Sequence, residues 1–356
     1  MAQEFGFTLS AYDFESLQDP NDGLLTPKNY LKRAGKSMDR LIETGAETII
    51  IEAITTQALA TSNDVASSYS MLRPKQFVKI VELAKSKDLK VWIKSDNGVL
   101  DERLGDAPTP TDPALWFENY TNHLVKYAKI ANRLDVDSFL LTNELKTMTT
   151  VPEYRDYWIE AIARVREVYD GPVGINVQSI KDGPESSWES SNLAIGDLVD
   201  FVGLSAYTRL YTTTEPTAED IRNGWFENIN GINLIEYLDR FIASHDVPIF
   251  FTELGFPNLS GGNYRYFNLT DKEKENYYDH VDEEEQALAY KTAFEVLQQE
   301  LGDNLAGFFP FLWQAQLVSE QYHWIDANIE FGIAFREAED LDSSSKCNTH
   351  SPRGIG

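Results

Sequence analysis

Eight short runs rich in β-branched, aromatic and aliphatic residues recur along the chain, at 5–10, 47–53, 90–96, 139–144, 172–177, 201–207, 248–253 and 307–313. Each is a near-continuous apolar run, the pattern of a strand covered on both faces. Between most of them lie segments whose apolar residues repeat at helical spacing. Pro27 opens the first, with Tyr30, Leu31, Ala34, Met38, Leu41 and Ile42 on one stripe and Gly45 as its stop. Pro74 opens a helix carrying Phe77, Val81 and Ala84, and Asp112-Pro113 caps one carrying Trp116, Tyr120, Leu124, Tyr127 and Ala131. Pro152 opens a helix expected to run to Tyr169, and Leu234, Tyr237, Leu238 and Phe241 mark another. Asp282 to Glu285 read as a solvated helix start, followed by Ala289, Thr292, Ala293, Val296 and Leu297. Eight strands alternating with helices predict an α/β protein with a (β/α)8 TIM barrel in a single domain over 1–336. The polar stretch 337–356, with Ser343-Ser344-Ser345, reads as a tail or linker. An open doubly wound sheet would need a Gly-rich phosphate turn, and the first run is followed instead by Ala11-Tyr12-Asp13-Phe14.

Composition narrows the function. A formal net charge of -26 excludes a phosphate-backbone binder, so no nucleic-acid partner is expected. No run reaches the roughly 18 apolar residues of a membrane span. The first residues lack the basic and apolar regions of a signal peptide, so the expectation is a cytoplasmic protein or an exported one carrying no leader at this end. Cys347 stands alone, which rules out an internal disulfide framework, and the five His are scattered without metal-ligand spacing. No cofactor or metal is expected, and a monomer is. Seven Trp and 17 Tyr provide ring surface for sugar stacking, although packing alone would also account for them.

Barrel enzymes carry their chemistry at the C-terminal ends of the strands. Those ends supply Asp13, Lys94, Asp96, Asn143, Glu144, Asn176, Gln178, Tyr207, Glu253 and Trp313. An ionised carboxylate has no place inside a buried strand unless it is paired, so runs that finish on Glu144 and Glu253 mark points where the chain leaves the core. Amides and acids suit sugar hydroxyls, aromatic rings suit pyranose faces, and two opposed carboxyls suit glycosidic cleavage. Other readings stand beside these. Glu144 could be a surface acid paired with Lys146. Lys94 and Asp96 could form a salt bridge with each other. Tyr207 and Trp313 could simply plug the barrel mouth.

Thr142-Asn143-Glu144 at the fourth strand and Thr252-Glu253-Leu254-Gly255 at the seventh resemble clan A of the retaining glycoside hydrolases. With Asn143-Glu144-Leu145 and Ser205-Ala206-Tyr207, the chain looks most like the family 113 β-mannanases. The resemblance implies Glu144 as general acid/base with a raised pKa, and Glu253 as nucleophile. It implies Asn143 on the sugar 2-hydroxyl, Tyr207 beside the nucleophile and Trp313 as a stacking platform. Lys94, Asp96 and Asn176 join these as expected substrate-binding residues. The substrate would be a β-linked polysaccharide or oligosaccharide, β-1,4-mannan first. Alternatives are another clan A activity (β-glucanase, xylanase, galactanase or β-mannosidase) or a carbohydrate-binding barrel without turnover.

Overall fold

A computed structural model of the chain describes residues 4–9, 27–67, 74–99, 108–181, 183–258, 260–261 and 282–311. Its strands are β1 (Glu4–Leu9), β2 (Thr48–Gln57), β3 (Ala66–Ser67), β4 (Lys90–Val99), β5 (Ser138–Asn143), β6 (Val173–Lys181), β7 (Phe201–Tyr207), β8 (Ile249–Leu254) and β9 (Leu305–Pro310). All but β3 pair in parallel, and β1 pairs with both β2 and β9, which closes an eight-stranded barrel. The short β3 lies antiparallel on the end of β2. Helices α1 (Pro27–Glu43), α2 (Pro74–Lys85), α3 (Pro113–Arg133), α4 (Lys146–Thr150), α5 (Arg155–Arg166), α6 (Ala218–Phe226), α7 (Leu234–Ser244) and α8 (Glu283–Glu300) connect the strands. The expected (β/α)8 barrel is the fold found. Among the described residues no helix is long and apolar enough to cross a membrane.

Strand periodicity divides the core in two. Ile49 and Ile51 pack in the main core cluster, with apolar residues of the surrounding helices such as Met38, Phe77 and Trp116. Ile50 between them packs instead with Trp92, Leu140, Phe201, Phe250 and Phe309, one residue from each of six strands. Side chains alternate across a strand, so this second set fills the barrel interior. Trp92 is its centre, with ring centroids 5.0 Å from Phe201, 5.0 Å from Phe250 and 4.8 Å from Phe309.

Several connections differ from the expectation. The helix expected from Pro152 to Tyr169 begins as a 3-10 turn at Pro152–Tyr154 and is α-helical only over α5. Among the described residues between β6 and β7 there is no α-helix; three 3-10 turns lie there, in a stretch holding Gly183, Pro184, Gly196 and four serines. Gly and Pro are poor helix formers, and Ser hydroxyls compete for backbone hydrogen bonds. Among the described residues two helices were not foreseen: α4, which begins two residues after Glu144, and α6, which starts on a reciprocal capping box between Thr217 and Asp220. At the start of α8, Asp282 caps as expected, accepting from the Glu285 backbone N–H. Glu285 itself is not solvated. It is buried and accepts from the Tyr211 hydroxyl at 2.8 Å and the Gly261 N–H at 2.6 Å. The tail 337–356 lies outside the described residues.

Candidate active site

Two residues beyond the apolar plug on the same strands, the interior turns polar. Glu52 follows Ile50, Lys94 follows Trp92, Thr142 follows Leu140 and Thr252 follows Phe250, and all four are buried. The Lys94 side chain has no solvent exposure. A stranded ammonium there would cost several kcal/mol, and its charge is met by Glu52 at 3.2 Å and by close contact with Glu253. Burial pulls the Lys94 pKa down, but Glu253 and Glu52 outweigh it and hold it above the ordinary lysine value. Burial pushes the Glu52 carboxyl up to about 7; Lys94 opposes that shift, while Asp96 and Glu253 add to it.

Strict alternation along β8 would point Glu253 away from Thr252 and toward the helices. The pairing with β7 breaks there: Leu204 is opposite Phe251, yet its neighbour Ser205 is opposite Glu253. This extra residue is a β-bulge, which re-aims the side chain that follows it. Glu253 therefore joins the interior layer, with Lys94 on Oε1 and the Tyr207 hydroxyl donating to Oε2 at 2.6 Å. Tyr207 owes its position to Gly255: a Cβ at that residue would stand 2.3 Å from the Tyr207 ring. Burial raises the Tyr207 phenol well above its ordinary pKa, and the charges of Glu253 and Glu144 add to the effect.

A second irregularity precedes Glu144. Leu140 and Asn143 on β5 face Gly174 and Asn176 on β6, so β5 carries one more residue than its partner. Glu144 then takes a left-handed backbone with φ 51°. That conformation costs a non-glycine residue on the order of 1–3 kcal/mol and is concentrated at functional sites. It is held by the Glu144 N–H donating to the Asn176 carbonyl at 3.1 Å, and the side chain is held by Gln178 Nε2 donating to Oε2 at 3.0 Å. Behind Gln178 lies Glu189, fully buried, accepting from the Gln178 N–H at 2.9 Å and contacting the Thr149 hydroxyl. Burial lifts the Glu189 carboxyl to about 8.

Asn176 ties the two strands together. Its amide donates to Asn143 Oδ1 and to Ser205 Oγ at 3.0 Å, its Oδ1 accepts from Thr252, and its carbonyl accepts from Thr142 Oγ1 at 2.9 Å. The residues preceding Glu144 and Glu253 thus share one buried amide. Asp96, half-buried nearby, has its carboxyl raised to about 6 by burial, against Lys94 and the Asn97 N–H, with Glu253 and Glu144 both adding to the rise. The barrel strands run parallel, so Glu144, just past the end of β5, and Glu253, near the end of β8, lie toward the same end of the barrel, where both act electrostatically on Asp96 and Tyr207.

Two expected sugar contacts hold other posts. Lys94 and Asn176 are buried with no exposure, and their hydrogen bonds brace the carboxylates and their strands instead of reaching into the mouth. The ion pairs of Lys94 run to Glu52, its register partner on the neighbouring β2, and across the barrel to Glu253 on β8, while Asp96 acts on it as a nearby charge. Trp313 lies outside the described residues. Glu52 and Glu189 were missed. Glu52 left a signal, a carboxylate inside a β-branched run; Glu189 sits in a connection with no periodicity to mark it. Among the described residues no group of three or more His, Cys, Asp or Glu could hold a metal ion.

A (β/α)8 barrel with a carboxylate from β8 and another from the end of β5 toward one end has the pair of acids that glycosidic cleavage requires. The model of Glycoside Hydrolase Family 113 matches residues 27–333, and the chain belongs to that family. Its substrate is accordingly a carbohydrate. Among solved structures, a GH113 β-1,4-mannanase is 22% identical with a TM-score of 0.71, covering 95% of this chain and 99% of its own. The GH113 β-mannanase AaManA from Alicyclobacillus acidocaldarius, in complex with ManMIm, is 20% identical with a TM-score of 0.71, covering 94% and 97%. A family 5 mannosidase from Rhizomucor miehei is 10% identical with a TM-score of 0.59, covering 96% and 95%. No curated protein matches the chain.

Proposed function

We propose that this glycoside hydrolase cleaves β-1,4-linked mannan by retaining double displacement, with Glu253 as nucleophile and Glu144 as general acid/base. The observation that carries the reading is the difference between the two carboxylates' surroundings. Glu253 accepts from an ammonium and a phenol, the contacts a carboxylate nucleophile needs to stay oriented. Glu144 accepts from a neutral amide and shares its mouth with other acids, surroundings that suit a proton donor. In the first step a Glu253 oxygen bonds to the anomeric carbon while the departing glycosidic oxygen takes the Glu144 proton. In the second, Glu144 removes a proton from water, which displaces Glu253. Mannan as substrate is supported by the family and by the β-mannanases of similar fold.

Release of reducing ends from a polysaccharide panel tests the substrate, and hydrolysis of xylan but not mannan overturns it. NMR of the first product should show the β-anomer. Glu253→Ala should lower kcat by at least about 10⁴-fold. Glu144→Gln should lose far more activity on mannan than on an aryl mannoside whose leaving group needs no proton.

A further inference from the structure

We propose that Glu52 is the counter-ion that takes over Lys94 when the nucleophile loses its charge. This rests on the reading of Glu253 as nucleophile. One ammonium and two carboxylates share a layer from which water is excluded: Lys94 is 0% exposed, Glu52 5% and Glu253 3%. Lys94 contacts one oxygen of each acid. A single buried cation between two buried anions has one acid more than it needs, and bridging both would be a poor arrangement for stability alone.

The reaction gives the second acid its use. When a Glu253 oxygen bonds to the anomeric carbon and the glycosidic bond breaks, the electron pair and the Glu144 proton leave with the alcohol. Glu253 becomes a neutral ester. Lys94 would then be a buried charge without a partner, and the penalty would already be felt in the transition state. Glu52 prevents this, because its carboxylate stays within reach of the ammonium. The charged and titratable groups acting on Glu52 are Lys94, Asp96 and Glu253. Loss of the Glu253 charge removes one of the influences that hold the Glu52 proton.

The two half-reactions therefore respond oppositely. Glycosylation consumes the nucleophile's charge and needs Glu52; deglycosylation restores that charge and does not. The probe is the 2,4-dinitrophenyl glycoside of 2-deoxy-2-fluoro-β-mannobiose, whose burst reports formation of the intermediate and whose recovery of activity reports its decay. Glu52→Gln should slow the burst about 100-fold, leave the probe's dissociation constant within about twofold, and leave decay unchanged or faster; Glu52→Asp should regain most of the burst rate. A wild-type burst in Glu52→Gln, or equal slowing of both steps, overturns the proposal. If Glu52→Gln does not fold, Glu52→Asp against Glu52→Asn gives the same contrast at fixed size, and equal bursts overturn it. Failure of the underlying reading looks different: the wild-type enzyme would then carry no mass label on the peptide containing Glu253.

Discussion

At the level of Trp92 the barrel interior is closed by six apolar side chains. Two residues further along four of these strands it is filled by Glu52, Lys94, Thr142 and Thr252, joined by the Asn176 amide from β6. Both layers are buried, and both are made by the inward-facing half of the same alternation. The lower one is held by dispersion and the hydrophobic effect, which are non-directional and tolerate exchange of similar volumes. The upper one is held by hydrogen bonds and ion pairs, where removing one partner strands another. A barrel can therefore place costly charge in its interior provided an apolar floor supplies the folding energy beneath it.

The sharpest way to break this comparison is Lys94→Met, which leaves Glu52 and Glu253 facing each other without a cation. Breaking a buried ion pair costs about 3–5 kcal/mol. Expressed on the transition state at about 1.36 kcal/mol per tenfold, that is a loss of about 10²- to 10⁴-fold in kcat/KM. Aryl-glycoside kinetics and denaturant unfolding together would show both losses. Trp92→Ala strikes the floor instead. It should cost about 3–5 kcal/mol of stability by urea unfolding, while kcat of the folded fraction falls far less than in the Lys94 variant. Equal loss of activity in the two variants would erase the distinction between the layers.

Asn176→Ala is a finer cut. It removes the amide shared by Asn143, Ser205 and Thr252, and should reduce kcat by about 1–3 kcal/mol in activation free energy, read as a kcat change with KM little altered. The smallest effect concerns pH. The Glu189 carboxyl is raised from 4.5 to about 8, so the folded form holds its proton more tightly than the unfolded chain. Its contribution to stability is complete below pH 4.5 and is lost as pH rises through about 8. The unfolding midpoint should fall across that window, and Glu189→Gln should flatten the fall. Glu52 and Asp96, raised to about 7 and about 6, act with the same sign at lower pH.

What the amino-acid order determined here was the eight barrel strands, most of their helices and which strands end in polar or charged residues. Apolar runs read as strands because two-sided burial demands them, and Asn143-Glu144, Tyr207 and Glu253 were legible because carboxylates and phenols at strand ends break that pattern. The tertiary structure alone decided which way those residues point. A one-residue bulge leaves no mark in a string of letters, yet it turns Glu253 from the helix side to the interior. Partnership was likewise undecidable from the chain: Lys94 stands two residues from Asp96 in sequence, but the β2–β4 register brings Glu52 to its ammonium and closure of the barrel brings Glu253. Local pattern reports how much of a residue is covered. Which group covers it depends on strands far apart in the chain, and their register is settled only when the sheet closes on itself.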